Sequence, residues 1–180
     1  MRHSFLLLLT FFLSAISFRV CAQAITGDEI KAQFIKDWER AKSYTMEYLN
    51  TMPADKYSFK AVDSIRSFAQ QMLHLSQGNV GLISAATGEK TSFPGNLEGS
   101  ATAQTKDSVV WYVTRSYDYA IESIQKLDPN KLGETVSLGK RQATRFAVLE
   151  KAFEHQSHHR GQTTIYIRLC GIRPPNERLF

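Results

Sequence analysis

Cysteine is almost absent from this 180-residue chain, which has only Cys21 and Cys170. Cys21 lies in a segment expected to be removed, so no internal disulfide can staple the fold and stability must come from a packed core. The sequence has no Gly-rich phosphate loop, no internal repeat and no low-complexity tract. Lys and Arg number 22 against 17 acids, a net charge of +5, and no cluster of them is interleaved with aromatics. Nucleic acid is therefore not an expected partner. The zincin pattern His-Glu-x-x-His is also missing, because Gln156 stands where its general-base Glu would be.

Only one long apolar run is present, Phe5 to Leu13 continuing to Phe18, behind the basic start Met1-Arg2-His3. It is too short for a comfortable membrane span and leads into Ala22-Gln23-Ala24, an Ala-x-Ala cleavage signal. Residues 1–24 therefore read as a secretory signal peptide, and the mature protein as exported, periplasmic or secreted, with no stable membrane span. The alternative, a lipid anchor on Cys21, has Arg19 and Val20 just before it, poor residues for that role. Cleavage takes Arg2 and Arg19 and no acid, leaving +3 on a single domain spanning residues 25–180.

That domain reads as helices. Thr26-Gly-Asp-Glu29 is a capping-box pattern, followed by Ile30, Phe34, Trp38, Ala41 and Tyr48 at helical spacing and a stop at Met52-Pro53. A second helix is expected from a cap at Asp63 or Ser64 to about Ala86, with Phe68, Met72, Leu75 and Leu82 inward. The third covers about Lys106 to Leu127, with Val110, Thr114, Tyr117, Ile121 and Ile124 on its stripe, and Asp128-Pro129-Asn130 ends it. The fourth runs from about Lys140 to Leu169, ahead of Gly171. Residues 87–105 form the longest irregular stretch, and a loop of that length in a compact bundle is more often functional than idle. The fold class is all-α, a four-helix bundle.

Four of the five histidines lie in the domain: His74 on the second helix, and His155, His158 and His159 on the fourth. His155 and His159 are one helical turn apart and continue the stripe of Val148, Ala152, Thr163, Tyr166 and Leu169. Two inward imidazoles at that spacing can share a divalent ion, with His74 as the natural third ligand. The same residues also suit a hydrogen-bonded core, or an exposed face with no ligand, and spacing alone leaves these open. His158 points about 100° away from its neighbour and reads as a supporting or surface residue.

The run Glu154-His155-Gln-Ser-His158-His159-Arg160-Gly161-Gln162, with Tyr166-Ile-Arg168-Leu-Cys-Gly171-Ile-Arg-Pro174-Pro175 after it, resembles the C-terminal signature of the DinB-like (YfiT-like) superfamily of metal-binding four-helix bundles. Phe68-Ala-Gln-Gln-Met-Leu-His74-Leu is similar to its second-helix motif, and Tyr48 to Lys60 to its first-helix exit. The resemblance implies a site of His74, His155 and His159 holding a divalent metal ion, zinc first and nickel second. It also implies a homodimer and a metal-dependent hydrolase or thiol-linked transferase acting on a small-molecule substrate. Export departs from a mostly cytosolic family, and low-molecular-weight thiols are scarce outside the cytoplasm, which counts against thiol transfer.

Three neutral imidazoles leave the metal its full charge and an open position, where bound water ionises near pH ~7 or a thiol binds as thiolate. A general base is harder to find: Glu154 and Tyr166 are the candidates, neither well aimed. Arg160 and Gln162 read as inter-helix hydrogen-bonding groups. Gly161, inside a helix where glycine costs about 1 kcal/mol, reads as a point of close helix approach. Two classes stay open, a small-molecule metalloenzyme and a non-catalytic metal-binding carrier or interaction module.

Overall fold

A computed structural model describes residues 24–180; the export segment read at residues 1–24 lies, save Ala24, outside the described residues. Four long helices make the bundle: α1 Gly27–Thr51, α2 Phe68–Thr87, α3 Lys106–Lys126 and α4 Arg145–Leu169. α1 starts where the capping box requires, with the Glu29 backbone N–H donating to Thr26 and the Glu29 carboxylate receiving the Thr26 N–H. α2 packs chiefly on α4 and α3, and α1 on α3 and, less, on α4. The sequence neighbours α1 and α2 therefore lie diagonally, as do α3 and α4.

The second helix begins at Phe68, not at Asp63 or Ser64. Ser67 and Gln70 form a capping box of their own, and the first free N–H groups, of Phe68 and Ala69, donate to the carbonyls of Phe59 and Tyr57. The segment before α2 is thus tied back on the helix it introduces. α4 likewise begins later than Lys140, at Arg145, capped by Thr144. The preceding residues form a hairpin of β1 Thr135–Leu138 and β2 Arg141–Thr144, paired Thr135 to Thr144 and Leu138 to Arg141. Its two-residue loop is Gly139-Lys140, with Gly139 at φ +62° and Lys140 not at positive φ, the pattern of a type II′ turn.

Trp38 occupies the centre, edge-on to Tyr117 at 5.6 Å and Phe153 at 5.8 Å. On α3 the buried line is Val109, Val113, Tyr117, Ala120 and Ile124, while Val110, Thr114 and Ile121 are half-buried, so the inward stripe is rotated from the expected one. On α4 the expected stripe holds from Val148 to Tyr166, but Leu169 is 57% exposed. The 88–105 segment is fastened along its length. Tyr119 and Ser84 donate to the Glu89 carbonyl, Leu97 is buried, and Gln70 and Gln104 donate to the Glu98 carbonyl.

Candidate metal centre

His74 comes from the middle of α2, and His155 and His159 from successive turns of α4, the helix α2 packs against most closely. The three rings converge, with centroids 4.4 Å apart for His155 and His159, 4.5 Å for His74 and His159 and 5.2 Å for His74 and His155. One ring nitrogen from each lies within 4.8 Å of the others, and the Nε2 atoms of His74 and His155 are 3.4 Å apart. Two nitrogens at zinc's bonding distance on tetrahedral directions are about 3.3 Å apart. That pair already stands at the spacing an ion requires.

Two of the ligand tautomers are set by what the other nitrogen does. His74 Nδ1 lies 2.7 Å from Glu98 Oε1, and an ionised carboxylate can only accept, so the proton sits on Nδ1 and the Nε2 lone pair is free. Burial pushes the Glu98 carboxyl up, but hydrogen bonds from Arg66 and His74 outweigh it and hold Glu98 below its ordinary range. His159 Nδ1 donates to Gln71 Oε1 at 2.9 Å, and the Gln71 amide passes on to Gln162 Oε1. His155 differs, because its Nδ1 is buried with no hydrogen-bond partner. Burial, followed by the neighbouring His74, pushes the His155 pKa down to about 4. Burial and then His155 push His159 down to about 3. Both rings are neutral at pH ~7, the form a metal needs.

Room for His155 is made by Gly78, one turn beyond His74 on α2. A Cβ there would overlap the His155 ring, with Nε2 at 2.9 Å and Nδ1 and Cε1 nearer still. Gly161 has no such role: it is exposed, and an added Cβ would meet nothing within 4 Å. The close helix approach read at Gly161 is therefore made by Gly78. Its signal was present, a glycine at i+4 from a candidate ligand inside a helix. Glu98 and Arg66 were missed, since nothing local in the sequence ties a loop carboxylate to a histidine 24 residues away.

The remaining candidates turn elsewhere. His158 is exposed, outside the convergent group, and hydrogen-bonded to Gln162. Glu154 is exposed and paired with Lys151, and the Tyr166 hydroxyl donates to the Arg66 carbonyl, so neither is aimed at the three rings as a base. Arg160 is buried on the adjoining face of α4, donating to Gln156 and stacked over the Tyr44 ring at 4.7 Å. A cleft of about 630 Å³ reaches the site at His159, walled by Lys60, Asp63, Arg66, Gln71, Glu98 and Gln162 among others. Its lining is mostly polar and bears both signs of charge.

Solved structures with the same architecture include a DinB-like protein from Bacillus cereus, 19% identical with a TM-score of 0.69, covering 81% of this chain and 95% of that one. A DinB-like protein from Bacillus subtilis is 17% identical with a TM-score of 0.61, covering 82% of this chain and 96% of its own. No curated protein sequence matches. At these identities the likeness shows the fold. The DinB family model, however, matches residues 24–178, which takes in all four helices and with them His74, His155 and His159, and on that match the chain belongs to the DinB family.

Proposed function

We propose that this protein binds one divalent metal ion, zinc first, through His74, His155 and His159, and uses it on a small polar molecule in hydrolysis or group transfer. The observation that carries the reading is the convergence of three imidazoles, two already in the tautomer that presents Nε2. A metal held there would supply Lewis acidity and a nucleophile ionised at neutral pH. The chain's own residues do the rest: Glu98 and Gln71 orient the rings, and the cleft at His159 admits and positions a substrate beside them.

The reading extends to an exported protein cleaved near Ala24, able to pair with a second copy, and without nucleic-acid contacts. No helix among the described residues is long and apolar enough to cross a membrane. A second reading, a non-catalytic metal carrier, is favoured by one observation: Glu154 and Tyr166 are both engaged away from the rings.

The test is bound metal per chain, by elemental analysis, in the wild type and four single alanine variants. Full loading is expected for the wild type and His158→Ala, and loss of more than about 100-fold in affinity for His74→Ala, His155→Ala and His159→Ala, beyond what a supporting residue costs. Full loading of His74→Ala would overturn the three-histidine site. Turnover of ester, amide or thiol-adduct substrates that tracks metal loading separates enzyme from carrier.

A further inference from the structure

The segment 88–105 joins α2 to α3, and Glu98 ties it to the body of the protein through both its carboxylate and its backbone carbonyl. That carboxylate is bidentate in function. Oε1 takes the His74 Nδ1 proton at 2.7 Å, and Oε2 takes the Arg66 Nε proton at 2.6 Å. Its backbone carbonyl accepts from Gln70 on α2 and from Gln104 in the turn leading to α3. Leu97 beside it is buried, so the carboxylate is delivered from a fixed stretch of backbone. Arg66 is held as well, because its own carbonyl accepts the Tyr166 hydroxyl from α4. The chain Tyr166, Arg66, Glu98, His74 thus runs from α4 through the cap of α2 and the loop to a candidate ligand.

Resting on the three-histidine reading, we propose that Glu98 is a positioning residue that couples metal binding at His74 to docking of the 88–105 loop. A carboxylate on the far nitrogen makes an imidazole a better donor and fixes its ring angle, and loss of such a partner typically costs 10- to 100-fold in metal affinity. The coupling is reciprocal: a metal drawing on His74 Nε2 makes Nδ1–H a stronger donor to Glu98, and so holds the loop more firmly. The other two histidines lack this device. His159 is oriented by a neutral amide on α2, within the helical frame, and His155 by the space at Gly78. Metal occupancy is therefore communicated to one connection in particular, the one that walls the cleft with Glu98.

The experiment compares wild type, Glu98→Gln and Glu98→Ala by zinc affinity in competition with a chelating indicator, by melting of the zinc-free proteins, and by hydrogen exchange over residues 95–104 at saturating zinc. Glu98→Ala is expected to weaken zinc by about 10- to 100-fold. Glu98→Gln, whose amide oxygen can still accept from Nδ1, should fall between. Saturating zinc should slow exchange in residues 95–104 of the wild type and leave it unchanged in Glu98→Ala. Zinc-free melting of Glu98→Gln should match the wild type, which separates positioning from a plain loss of fold. Unaltered zinc affinity in Glu98→Ala beside tight wild-type binding would overturn the role of Glu98. So would zinc protecting the loop equally in both. Absence of zinc binding by the wild type would instead fall on the three-histidine reading itself.

Discussion

α4 has two polar faces, and they solve opposite problems. His155 and His159 look toward α2, His159 also onto the polar cleft, and burial, with His74 beside His155 and His155 beside His159, keeps both rings uncharged. One residue along, Gln156 and Arg160 look into the core, where the Gln156 oxygen accepts from both Tyr117 and Arg160 and the guanidinium lies against Tyr44. The first face leaves nitrogens unspent, and one, His155 Nδ1, has no partner at all. The second face uses its donors and acceptors on each other and on Thr45. A polar residue that is satisfied internally is architecture, and a cluster that is not asks for something from outside. The same distinction explains why α4 shows little of the one-sided greasiness that marks α3: its apolar stripe is shared among polar groups on both flanks.

The comparison is broken most sharply by a pair of substitutions that should act on different properties. Gly78→Ala places a Cβ in the His155 ring. The end of that side chain can rotate away, so the fold tolerates the change, but the Nε2 leaves the group, and zinc affinity should fall by about 10-fold or more. Gln156→Leu keeps the volume but takes one of the two partners of the Tyr117 hydroxyl, leaving it Thr45, and strands one Arg160 donor in the core. It should cost about 2 to 4 kcal/mol in urea unfolding and change zinc affinity by less than about threefold. If Gly78→Ala bound zinc normally, or Gln156→Leu lost it, the two faces would not be independent.

Acid provides a graded version. In the unfolded chain His155 and His159 titrate near pH ~6.5, but folded they titrate at about 4 and about 3. Between those limits the unfolded state binds more protons than the folded one, so stability of the zinc-free protein is fully present above pH ~6.5 and is lost as pH falls toward 4 and 3. A bound metal competes with the same protons, so it should be released within that window. Melting temperature followed from pH ~7.5 to ~4, with and without zinc, checks both; a flat zinc-free profile would mean that the two rings are not held neutral by the fold. The smallest effect belongs to Gly161→Ala. That exposed helical position has open space, so alanine should stabilise by about 0.5 to 1 kcal/mol and leave zinc binding untouched.

The helices and two of the three converging turns were legible because they rest on local chemistry. Thr26 with Glu29, the period of Phe34, Trp38 and Ala41, and the His155 to His159 spacing all lie within a few residues of each other. The start of α2 was misplaced because three candidate caps follow in close order, and what selects Ser67 is its Gln70 partner together with carbonyls of Tyr57 and Phe59, fixed only once the segment folds back. The hairpin was hidden within an expected connection and helix start, although Gly139-Lys140 between alternating residues is the turn it needs. At the candidate site, the residues that could be named were those whose side chains carry the chemistry. Gly78 contributes by what it lacks, and Glu98 by a contact that only the tertiary fold makes.

The diagonal placement of chain neighbours bears on time as well as on space. Because α1 does not lie beside α2, nor α3 beside α4, the contact between α2 and α4 must be closed across residues 88–144, and the His74 to His155 approach spans 81 positions. Loop closure over such distances makes a bundle slower to assemble than one whose helices simply fold back on their predecessors. An early intermediate holding α2 and α3 alone would carry His74 and none of its companions. An ion held by all three histidines could therefore add stability only once α4 lies against α2, whatever the order in which the other helices assemble.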